Sequence, residues 1–339
     1  MVRIALDGMG GDFAPKIACE GAMLALETYQ DIEITIFGDQ EKMSAYLKPH
    51  ERLKIVHTSK YLDMGVKDPI KEIRKNKDNS LFLAMQAVKE GQCDALVTAG
   101  PTQGVVVGAH FIIKKLKSIH KIALAPIMPS VDGIGRILLD AGANKELKPE
   151  NVVEFAICGQ IIARDFFGVQ NPSVGLLNIG SEPGKGREFD IEAFNLLEES
   201  ENVNFFGNIE AKEILYGEPI VVVNDGFTCN IAMKAIEGAG AAINMMLKKE
   251  ISRYKLSKLG YLFMKRSFKN FKKKMDASEV GGAMIIGLQR ITIKAHGSSD
   301  AKAICSSLNQ AKRMVESNII EKLDQQLSLI NKLENQDEA

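Results

Sequence analysis

Apolar stretches short enough to be single β-strands alternate with longer segments of helical period along most of this chain. The strand-like stretches span residues 3–6, 33–37, 53–57, 95–98, 122–125, 136–139, 174–179 and 220–224. The helical-period segments span residues 16–29, 80–90, 104–116, 151–166, 190–200 and 230–247. Alternation of this kind predicts an α/β fold in which helices cover both faces of a mostly parallel sheet.

The C-terminal part of the chain also has helical period. Apolar residues recur every three to four positions from Ile304 to Ile330, which predicts one long helix over roughly the last 35 residues. Such a stripe packs either on the body of the protein or on a second subunit. Because the sequence contains no clear linker, we expect a single domain over residues 1–339.

Composition excludes several classes of protein. The chain has 43 Lys and Arg and 43 Asp and Glu, so its net charge of zero gives no sign of nucleic-acid binding. The five cysteines form no CxxC pair, which argues against a disulfide framework or a zinc site and favours the reducing cytoplasm. We expect no secretion signal, and no apolar run approaches the roughly 20 residues of a membrane span.

Six loops rich in small and polar residues follow the strand-like stretches. They cover residues 7–15, 98–104, 140–144, 178–186, 224–230 and 294–300. Each has a structural explanation by itself, because a strand-to-helix turn uses Gly for its geometry and a small polar residue as a cap. Ligands of open α/β sheets bind at the carboxyl ends of the strands, so the six loops together predict one composite site.

The glycines in these loops do not have the spacing of nucleotide-binding motifs. From Gly180 to Lys185 the glycines are one residue too close for a P-loop, and Gly186 replaces the Mg²⁺-binding hydroxyl. The opening loop has Phe13 where a dinucleotide fingerprint needs its third glycine. The remaining hypothesis is a smaller anion, such as phosphate, held by Lys185 and the backbone N–H groups of Gly184 and Gly186. The alternative is a solvated loop lysine.

Two other side chains are candidates for chemistry. His296 precedes Gly-Ser-Ser-Asp at the expected start of the C-terminal helix, where an imidazole can hydrogen-bond an anion or a carbonyl oxygen. The alternative is that Ser298 or Ser299 caps the helix while His296 packs. Cys229 is a conceivable nucleophile that nothing else marks as activated. With no GxSxG or HExxH motif, the pattern fits a reaction in which phosphate is the nucleophile.

Taken in order, the loops resemble the motifs of the bacterial phosphate acyltransferases of phospholipid synthesis, the PlsX family. The resemblance covers nearly the whole chain: Asp7–Pro15 resembles D-A-M-G-G-D-x-A-P, Thr98–Gly104 resembles S-A-G-N-T-G-A, Leu138–Asn144 resembles L-L-D-x-G-A-N, Gly175–Gly186 resembles G-L-L-N-I-G-x-E-x-x-K-G, Phe206–Ala211 resembles F-x-G-N-V-E-G, Asn224–Asn230 resembles x-D-G-F-x-G-N, and His296–Ser299 is H-G-S-S. Departures from the pattern are Gly8 for Ala, Phe13 for His, Pro101 for Asn, Gln103 for Gly and Cys229 for Gly. If that Asn donates a hydrogen bond to phosphate, Pro101 cannot replace it, so Thr102 or Gln103 would have to do so.

The resemblance implies an activity, a fold and an assembly. The activity is transfer of a long-chain acyl group from the thioester of acyl carrier protein to inorganic phosphate, which gives acyl phosphate for phospholipid synthesis. The implied fold has three layers, α/β/α, similar to the isocitrate and isopropylmalate dehydrogenases, and the implied assembly is a homodimer. No cofactor and no metal are expected.

For this reaction the loops supply hypothetical roles. The candidate catalytic residues are Lys185, Asp225, Asn230 and His296. The candidates for binding phosphate or substrate are Asp7, Gly10, Gly11, Gly100, Thr102, Gly184, Gly186 and Ser298. Lys185 and the glycine backbones would hold phosphate. Asn230 and His296 would polarise the carbonyl or the leaving sulfur, and Asp225 would orient one of them.

A strongly basic stretch remains to be explained. Residues 248–274 contain eleven Lys or Arg and one acid, Glu250. Apolar residues recur at i, i+4, i+7 and i+11 among Met264, Phe268, Phe271 and Met275. This pattern predicts a protruding, basic, amphipathic helical subdomain over residues 248–275, suited to an anionic membrane surface or to the acidic acyl carrier protein. The alternative is packing on the partner of a dimer.

Other functions stay open at this point. A phosphotransacetylase that uses a short acyl-CoA belongs to the same chemical class, and the apolar residues of 256–275 favour a longer acyl chain only weakly. A decarboxylating dehydrogenase of similar fold would need a nucleotide site and an arginine-rich substrate site, and neither is evident. The third alternative is a non-catalytic regulator that binds acyl carrier protein or lipid and has lost its activity because of Pro101.

Overall fold

Two sheets and the helices packed against them make up the part of the chain that the computed structural model describes, residues 1–275 and 281–337. The strands are β1 (Val2–Asp7), β2 (Ile32–Gly38), β3 (Leu53–His57), β4 (Ala95–Thr98), β5 (Ala123–Ala125), β6 (Ile127–Met128), β7 (Arg136–Leu139), β8 (Val174–Asn178), β9 (Phe205–Glu210), β10 (Val221–Val223), β11 (Ala283–Ile286) and β12 (Ile291–Lys294). The α-helices are α1 (Lys16–Thr28), α2 (Gln40–Met43), α3 (Pro69–Lys75), α4 (Ser80–Lys89), α5 (Thr102–Ile112), α6 (Pro149–Phe167), α7 (Glu188–Glu199), α8 (Gly226–Arg253), α9 (Lys255–Met275), α10 (Ala301–Glu316) and α11 (Ile319–Asp337).

The first sheet has seven strands in the order β3-β2-β1-β4-β12-β11-β5. Strands β3, β2, β1, β4 and β12 are parallel, and β11 runs antiparallel to both β12 and β5. Strand β12 lies beside β4, with Lys294 opposite Thr98. The loops 7–15, 98–104 and 294–300 therefore meet at the carboxyl edge of one sheet.

The second sheet has five strands in the order β6-β7-β10-β8-β9. Strands β7, β10, β8 and β9 are parallel, and β6 pairs antiparallel with β7. The other three loops, 140–144, 224–230 and 178–186, follow β7, β10 and β8, so they share the carboxyl edge of this sheet. The predicted α/β class with mostly parallel strands is confirmed, but the hydrophobic pattern did not show that the strands divide between two sheets.

Strands buried on both faces position these edges. Every residue of β4, β7 and β8 is buried, as expected for strands that helices or other strands cover on both sides. One hydrophobic core extends from Ile4 and Ile34 in the first sheet through Phe155 in α6 to Val221 in the second. The two sheets therefore share packing, which fixes the loops of one sheet relative to those of the other.

The expectation of one long C-terminal helix is wrong, because the chain forms two helices there. Helix α10 ends at Glu316 and α11 begins at Ile319. Between them Asn318 has φ +52°, a left-handed conformation that cannot continue a right-handed helix. The apolar spacing is nevertheless used as predicted, since Leu323, Leu327 and Ile330 are buried.

The basic stretch forms the end of α8 and the whole of α9, which pack against each other. Large apolar side chains are exposed along this pair, including Met245, Leu256 at 83% and Phe263 at 84%. The side chain of Met275 lies outside the described part of the structure. Within the described residues, no helix combines the length and apolar character needed to cross a bilayer.

The turn between α10 and α11 gives a test of backbone conformation. We expect Asn318→Gly to leave the free energy of unfolding nearly unchanged and Asn318→Val to lower it by about 1–2 kcal/mol, because a β-branched residue is strained at positive φ. Urea unfolding followed by circular dichroism measures both values. Equal stability of the two variants would contradict the left-handed turn.

Candidate active site

A cavity of about 610 Å³ opens between the loops of the two sheets, a size typical of small-molecule sites. Residues from both sheet edges and from the start of β11 line it: Asp12, Met64, Gly65, Val66, Pro101, Thr102, Gln103, Leu124, Pro126, Ile127, Ala141, Gly142, Asn230, Met233, Lys234, Glu237, Gly281, Gly282, Ala283, Lys294, His296 and Gly297. The lining thus combines charged and amide groups with aliphatic side chains.

The buried side chain of Asp7 connects the loops at the carboxyl edge of the first sheet. Its buried carboxylate accepts hydrogen bonds from the hydroxyls of Ser80 at 2.7 Å and Thr98 at 2.8 Å. Burial raises the pKa of Asp7, and these hydrogen bonds oppose the rise. A Cβ on Gly10 would lie 2.5 Å from this carboxylate and 2.7 Å from the amide nitrogen of Gly100. Only glycine at position 10 therefore lets the first two loops approach so closely.

The opening loop is also tied to the loop after β12. The backbone N–H of Asp12 donates to the carbonyl of Gly297 at 2.8 Å. Gly11 has φ +106°, which lets the chain turn toward this contact. Asp12 consequently faces the cavity, whereas the N–H of Gly10 is directed at Asp7.

His296 lines the cavity with one ring nitrogen already engaged. Its Nδ1 accepts the backbone N–H of Ser298 at 3.2 Å and lies 2.8 Å from the Ser298 hydroxyl. A neutral imidazole that accepts at Nδ1 carries its proton on Nε2 and can donate there. Burial, and then the charges of Lys234 and Lys294, lower the pKa of His296 from 6.5. The next helix is capped by Asp300 rather than by a serine.

The first turn of α5 forms another part of the wall. Thr102 and Gln103 line the cavity and are the first two residues of that helix. Pro101 precedes them at the N-cap and supplies no side-chain hydrogen bond. The first N–H groups of a helix have no partner within it, so this turn presents free donors and the positive end of the helix dipole.

Lys294 is a functional candidate that the sequence reasoning assigned no role. It is only 9% exposed, lines the cavity, and donates from Nζ to its neighbour's carbonyl, that of Ala295, at 2.8 Å. Burial, and then the charge of Lys234, lower the pKa of Lys294 to about 8, while Asp12 opposes this. The sequence feature that could have identified Lys294 is its position at the end of the run Ile-Thr-Ile-Lys, just before a polar loop.

Asn230 reaches the cavity from the second sheet. Its side-chain Nδ2 donates to the carbonyl of Ala141 at 2.7 Å, which leaves one N–H of the amide for a ligand. The loop that carries Ala141 is folded around Asp140, whose carboxylate accepts the backbone N–H groups of Gly142 at 3.1 Å and Asn144 at 2.8 Å. Two loops of this sheet thus set the position of one amide side chain.

Asp225 lies outside the cavity lining and acts on the start of α8. It caps this helix by accepting the N–H of Thr228 at 2.7 Å, and it forms an ion pair with Arg187. Arg187 also pairs with Asp190 at 2.8 Å, and this hydrogen bond is the main reason that the pKa of Arg187 is raised. Asp225 therefore orients the helix that carries Asn230.

Lys185 lies in the loop after β8, which the buried Asn178 shapes. The amide of Asn178 donates to the carbonyl of Lys185 at 3.0 Å, and a Cβ on Gly186 would lie 2.6 Å from the Asn178 oxygen. The Lys185 side chain is 49% exposed, with its ammonium 4.0 Å from Glu182. Gly184 in the same loop has φ +82° and open space around it.

The structure brings some of the sequence candidates together and leaves others apart. Thr102, Asn230 and His296 line one cavity. The other candidates are outside its lining: Asp7, Gly10, Gly11, Gly100, Gly184, Lys185, Gly186, Asp225 and Ser298. Of these, Ser298 contacts His296 directly, and Asp7 with its glycines sets the loop geometry.

Cys229 does not have the surroundings of a nucleophile. Its side chain is fully buried, and Sγ lies 3.4 Å from the carbonyl oxygen of Leu139. Burial raises the pKa of the Cys229 thiol well above its ordinary value, so the thiolate form is disfavoured.

Over residues 1–275 and 281–337 there is no group of three or more His, Cys, Asp or Glu that could hold a metal ion.

Comparison with known proteins identifies the family. The family model of the fatty acid synthesis proteins matches residues 2–322. A phosphate acyltransferase from Acholeplasma laidlawii is 48% identical over 325 residues, which cover 95% of this chain and 97% of the relative. The chain belongs to this family. The resemblance seen in the loop motifs is confirmed, and so is membership of a family of acyltransferase enzymes.

Solved structures of low identity show how widely the family's fold is shared. A phosphotransacetylase from Streptococcus pyogenes has a TM-score of 0.58 at 16% identity, covering 94% of both chains. A 4-hydroxythreonine-4-phosphate dehydrogenase from Klebsiella pneumoniae has a TM-score of 0.51 at 10% identity, covering 93% of this chain and 98% of its own. The predicted dehydrogenase-like fold is therefore confirmed, and phosphotransacetylases share it.

The imidazole of His296 provides a test of the site's electrostatics. We expect His296 to titrate below 6.5 and to keep its neutral proton on Nε2. Lys234→Met should raise this midpoint, because a neighbouring positive charge disfavours the imidazolium, whereas Lys234→Arg should not. Long-range ¹H–¹⁵N spectra report both the midpoint and the tautomer. A wild-type midpoint at or above 6.5 would contradict the described surroundings.

Proposed function

We propose that this chain transfers a long-chain acyl group from the thioester of acyl carrier protein to inorganic phosphate. The observation that carries the proposal is that polar donors and aliphatic side chains line the same cavity. Thr102 and Gln103 at the start of α5, His296 and Asn230 line it together with the apolar Leu124, Ile127 and Met233. Such a cavity can hold an anion and a reacting carbonyl next to an alkyl chain. The phosphate acyltransferase relative at 48% identity supports the same reaction.

The bonds and protons of this reaction balance between phosphate and the thioester alone. An oxygen of HPO₄²⁻ attacks the thioester carbonyl carbon and forms the new C–O bond. The C–S bond then breaks, and the electron pair leaves with sulfur. The proton of the phosphate passes to the departing thiolate, so the products are the acyl phosphate dianion and a free thiol. The protein's part is to position the reactants and to stabilise charge on the carbonyl oxygen and the sulfur.

His296 and Asn230 are the donors for the carbonyl oxygen. His296 has its Nε2 proton free because Nδ1 is engaged by Ser298, and its lowered pKa keeps the ring neutral at neutral pH. Asn230 retains one amide N–H after its bond to Ala141. Loss of one oxyanion donor typically raises the barrier by about 3–4 kcal/mol, so two fixed donors are a large part of what such a site requires.

Lys185 and its flanking glycines, which lie outside the cavity lining, are the proposed outer contact for phosphate, on the loop after β8. This loop is anchored by Asn178, and the open surroundings of Gly184 leave the backbone accessible. The ion pair between Arg187 and Asp225 connects the loop to the start of α8. Holding phosphate in line with the carbonyl can lower the barrier by about 7–11 kcal/mol, because the encounter no longer costs translational and rotational freedom.

The exposed pair α8–α9 is the second part of the proposal. It exposes Leu256, Leu259 and Phe263, and its sequence is rich in Lys and Arg, a composition suited to the surface of an anionic membrane. The chain works in the cytoplasm as a homodimer and contacts the inner face of the membrane through this pair. A long acyl chain bound near the membrane would then be passed on as acyl phosphate without crossing bulk water.

Formation of acyl phosphate tests the reaction directly. Purified protein incubated with long-chain acyl carrier protein and phosphate should form acyl phosphate, trapped as a hydroxamate, and should form none without phosphate. Lys185→Ala should raise the phosphate KM about tenfold or abolish turnover, because a charge-assisted contact is lost. Lys212→Ala is the matched control, since Lys212 is exposed and pairs with Glu210. Unchanged kinetics in Lys185→Ala would remove Lys185 from the site, and absence of product with wild type would refute the reaction.

Flotation with liposomes tests the membrane contact. Wild type should float with vesicles that contain phosphatidylglycerol and remain behind with vesicles of phosphatidylcholine alone. The double variant Phe268→Ser and Phe271→Ser should lose most of this binding, because each change removes apolar area from the interface. Phe206→Ser is the control, since Phe206 and Phe271 are both 47% exposed. Undiminished flotation of the double variant would exclude a role of α9 in lipid binding.

A further inference from the structure

The cavity contains a buried cation for which neither the fold nor the roles assigned above account. Lys294 is only 9% exposed, and the one hydrogen bond of its ammonium in the described structure goes to the adjacent carbonyl of Ala295. An ammonium group has three donors, so two remain for another acceptor. Burying a charge without a close counter-ion is unfavourable unless a ligand supplies one.

The position of Lys294 relative to α5 indicates which ligand that is. Lys294 ends β12, and its register partner Thr98 ends β4, only a short loop before α5 begins at Thr102. The uncapped first turn of α5 and Lys294 line the same cavity. Free backbone N–H groups at a helix N-terminus and a nearby ammonium are a combination that binds oxyanions.

The other charges around Lys294 come from three elements. Lys234 on α8 adds a positive charge, although it is paired with Glu237 at 2.7 Å. Asp12 in the opening loop supplies a negative charge, and His296 follows Lys294 in the chain with a lowered pKa. Lys294 is therefore the one buried cation among the cavity residues that the structure describes, and it has no carboxylate within 4.0 Å in that part of the chain.

We propose that Lys294 and the first turn of α5 form the inner phosphate subsite, with the ammonium of Lys294 bound to the phosphate oxygens. This deepens the proposed function and rests on it for the identity of the anion. Lys185 lies on an exposed loop outside the cavity lining, whereas Lys294 would hold the reacting phosphate within the wall of the cavity. The bound dianion supplies the counter-charge that the buried ammonium lacks.

Binding of inorganic phosphate to the full-length protein, measured by isothermal titration without any acyl donor, tests the subsite apart from catalysis. We expect Lys294→Met to weaken phosphate binding by about tenfold or more, because charged hydrogen bonds are lost. Lys294→Arg should retain most of the affinity, since Arg also binds phosphate oxygens. Lys60→Met is the control, because Lys60 is an exposed lysine that pairs with Asp78.

The pH dependence of binding adds a second readout. Because burial lowers the pKa of Lys294 to about 8, wild-type affinity for phosphate should fall as pH rises through that value, when the free enzyme loses the charge. Lys294→Arg should show no such fall, since its guanidinium stays protonated. If Lys294→Met does not fold, the pH profiles of wild type and Lys294→Arg decide whether Lys294 binds phosphate.

The outcomes separate this inference from the proposed function. Wild-type affinity in a folded Lys294→Met variant, or the same loss of affinity near pH 8 in Lys294→Arg, would overturn the subsite. Lys294-dependent phosphate binding by a protein that forms no acyl phosphate would leave the subsite standing and refute the acyltransferase reaction.

Discussion

The buried carboxylate of Asp7 is the contact on which the geometry of the cavity depends most. It joins the end of β1 to Ser80 at the start of α4 and to Thr98 at the end of β4. Because Gly10 and Gly100 approach each other beside it, the opening loop and the start of α5 are set by one group. Removing a partner from such a network would leave a buried charge or hydroxyls unsatisfied, which typically costs more than the hydrogen bond itself contributes. Its role is to shape the site from below, and it does not line the cavity.

The two sheets contribute different chemistry to the cavity. From the first sheet come Lys294, His296 and the uncapped turn of α5, which are groups that attract anions and donate protons. From the second comes the amide of Asn230, held by loops that asparagine and aspartate side chains fold from within. Helix α8 also brings the ion pair of Lys234 and Glu237 to the lining from the side of the second sheet. Charged groups and an amide donor in one cavity are a suitable environment for a reaction between a dianion and an uncharged thioester.

The sequence predicted the elements that local pattern controls. Strands such as β1, β2 and β8 are apolar runs with turn signals at their ends, and their helices have clear period, so their positions were close to those observed. Strands β6, β11 and β12 were not predicted, although β4 and β7, which were, are no longer than β11 and β12. The turn at Asn318 was missed because one left-handed residue interrupts an otherwise continuous apolar stripe. Lys294 was missed for a different reason, since its burial arises only when β12 inserts beside β4, a contact between distant parts of the chain.

Helix α8 joins the cavity to the outer surface without a break. It runs for 28 residues from Gly226 to Arg253, a length of about 42 Å at the usual rise. Asn230 and Lys234 lie in its first turns at the cavity, and Met245 and Met246 are exposed in its later turns beside α9. One continuous helix therefore carries both residues of the cavity and residues of the exposed apolar surface. Only the side chains of its early residues Cys229, Ala232 and Met233 are buried against the body, so one helix is fixed at the cavity and exposed over most of the rest of its length.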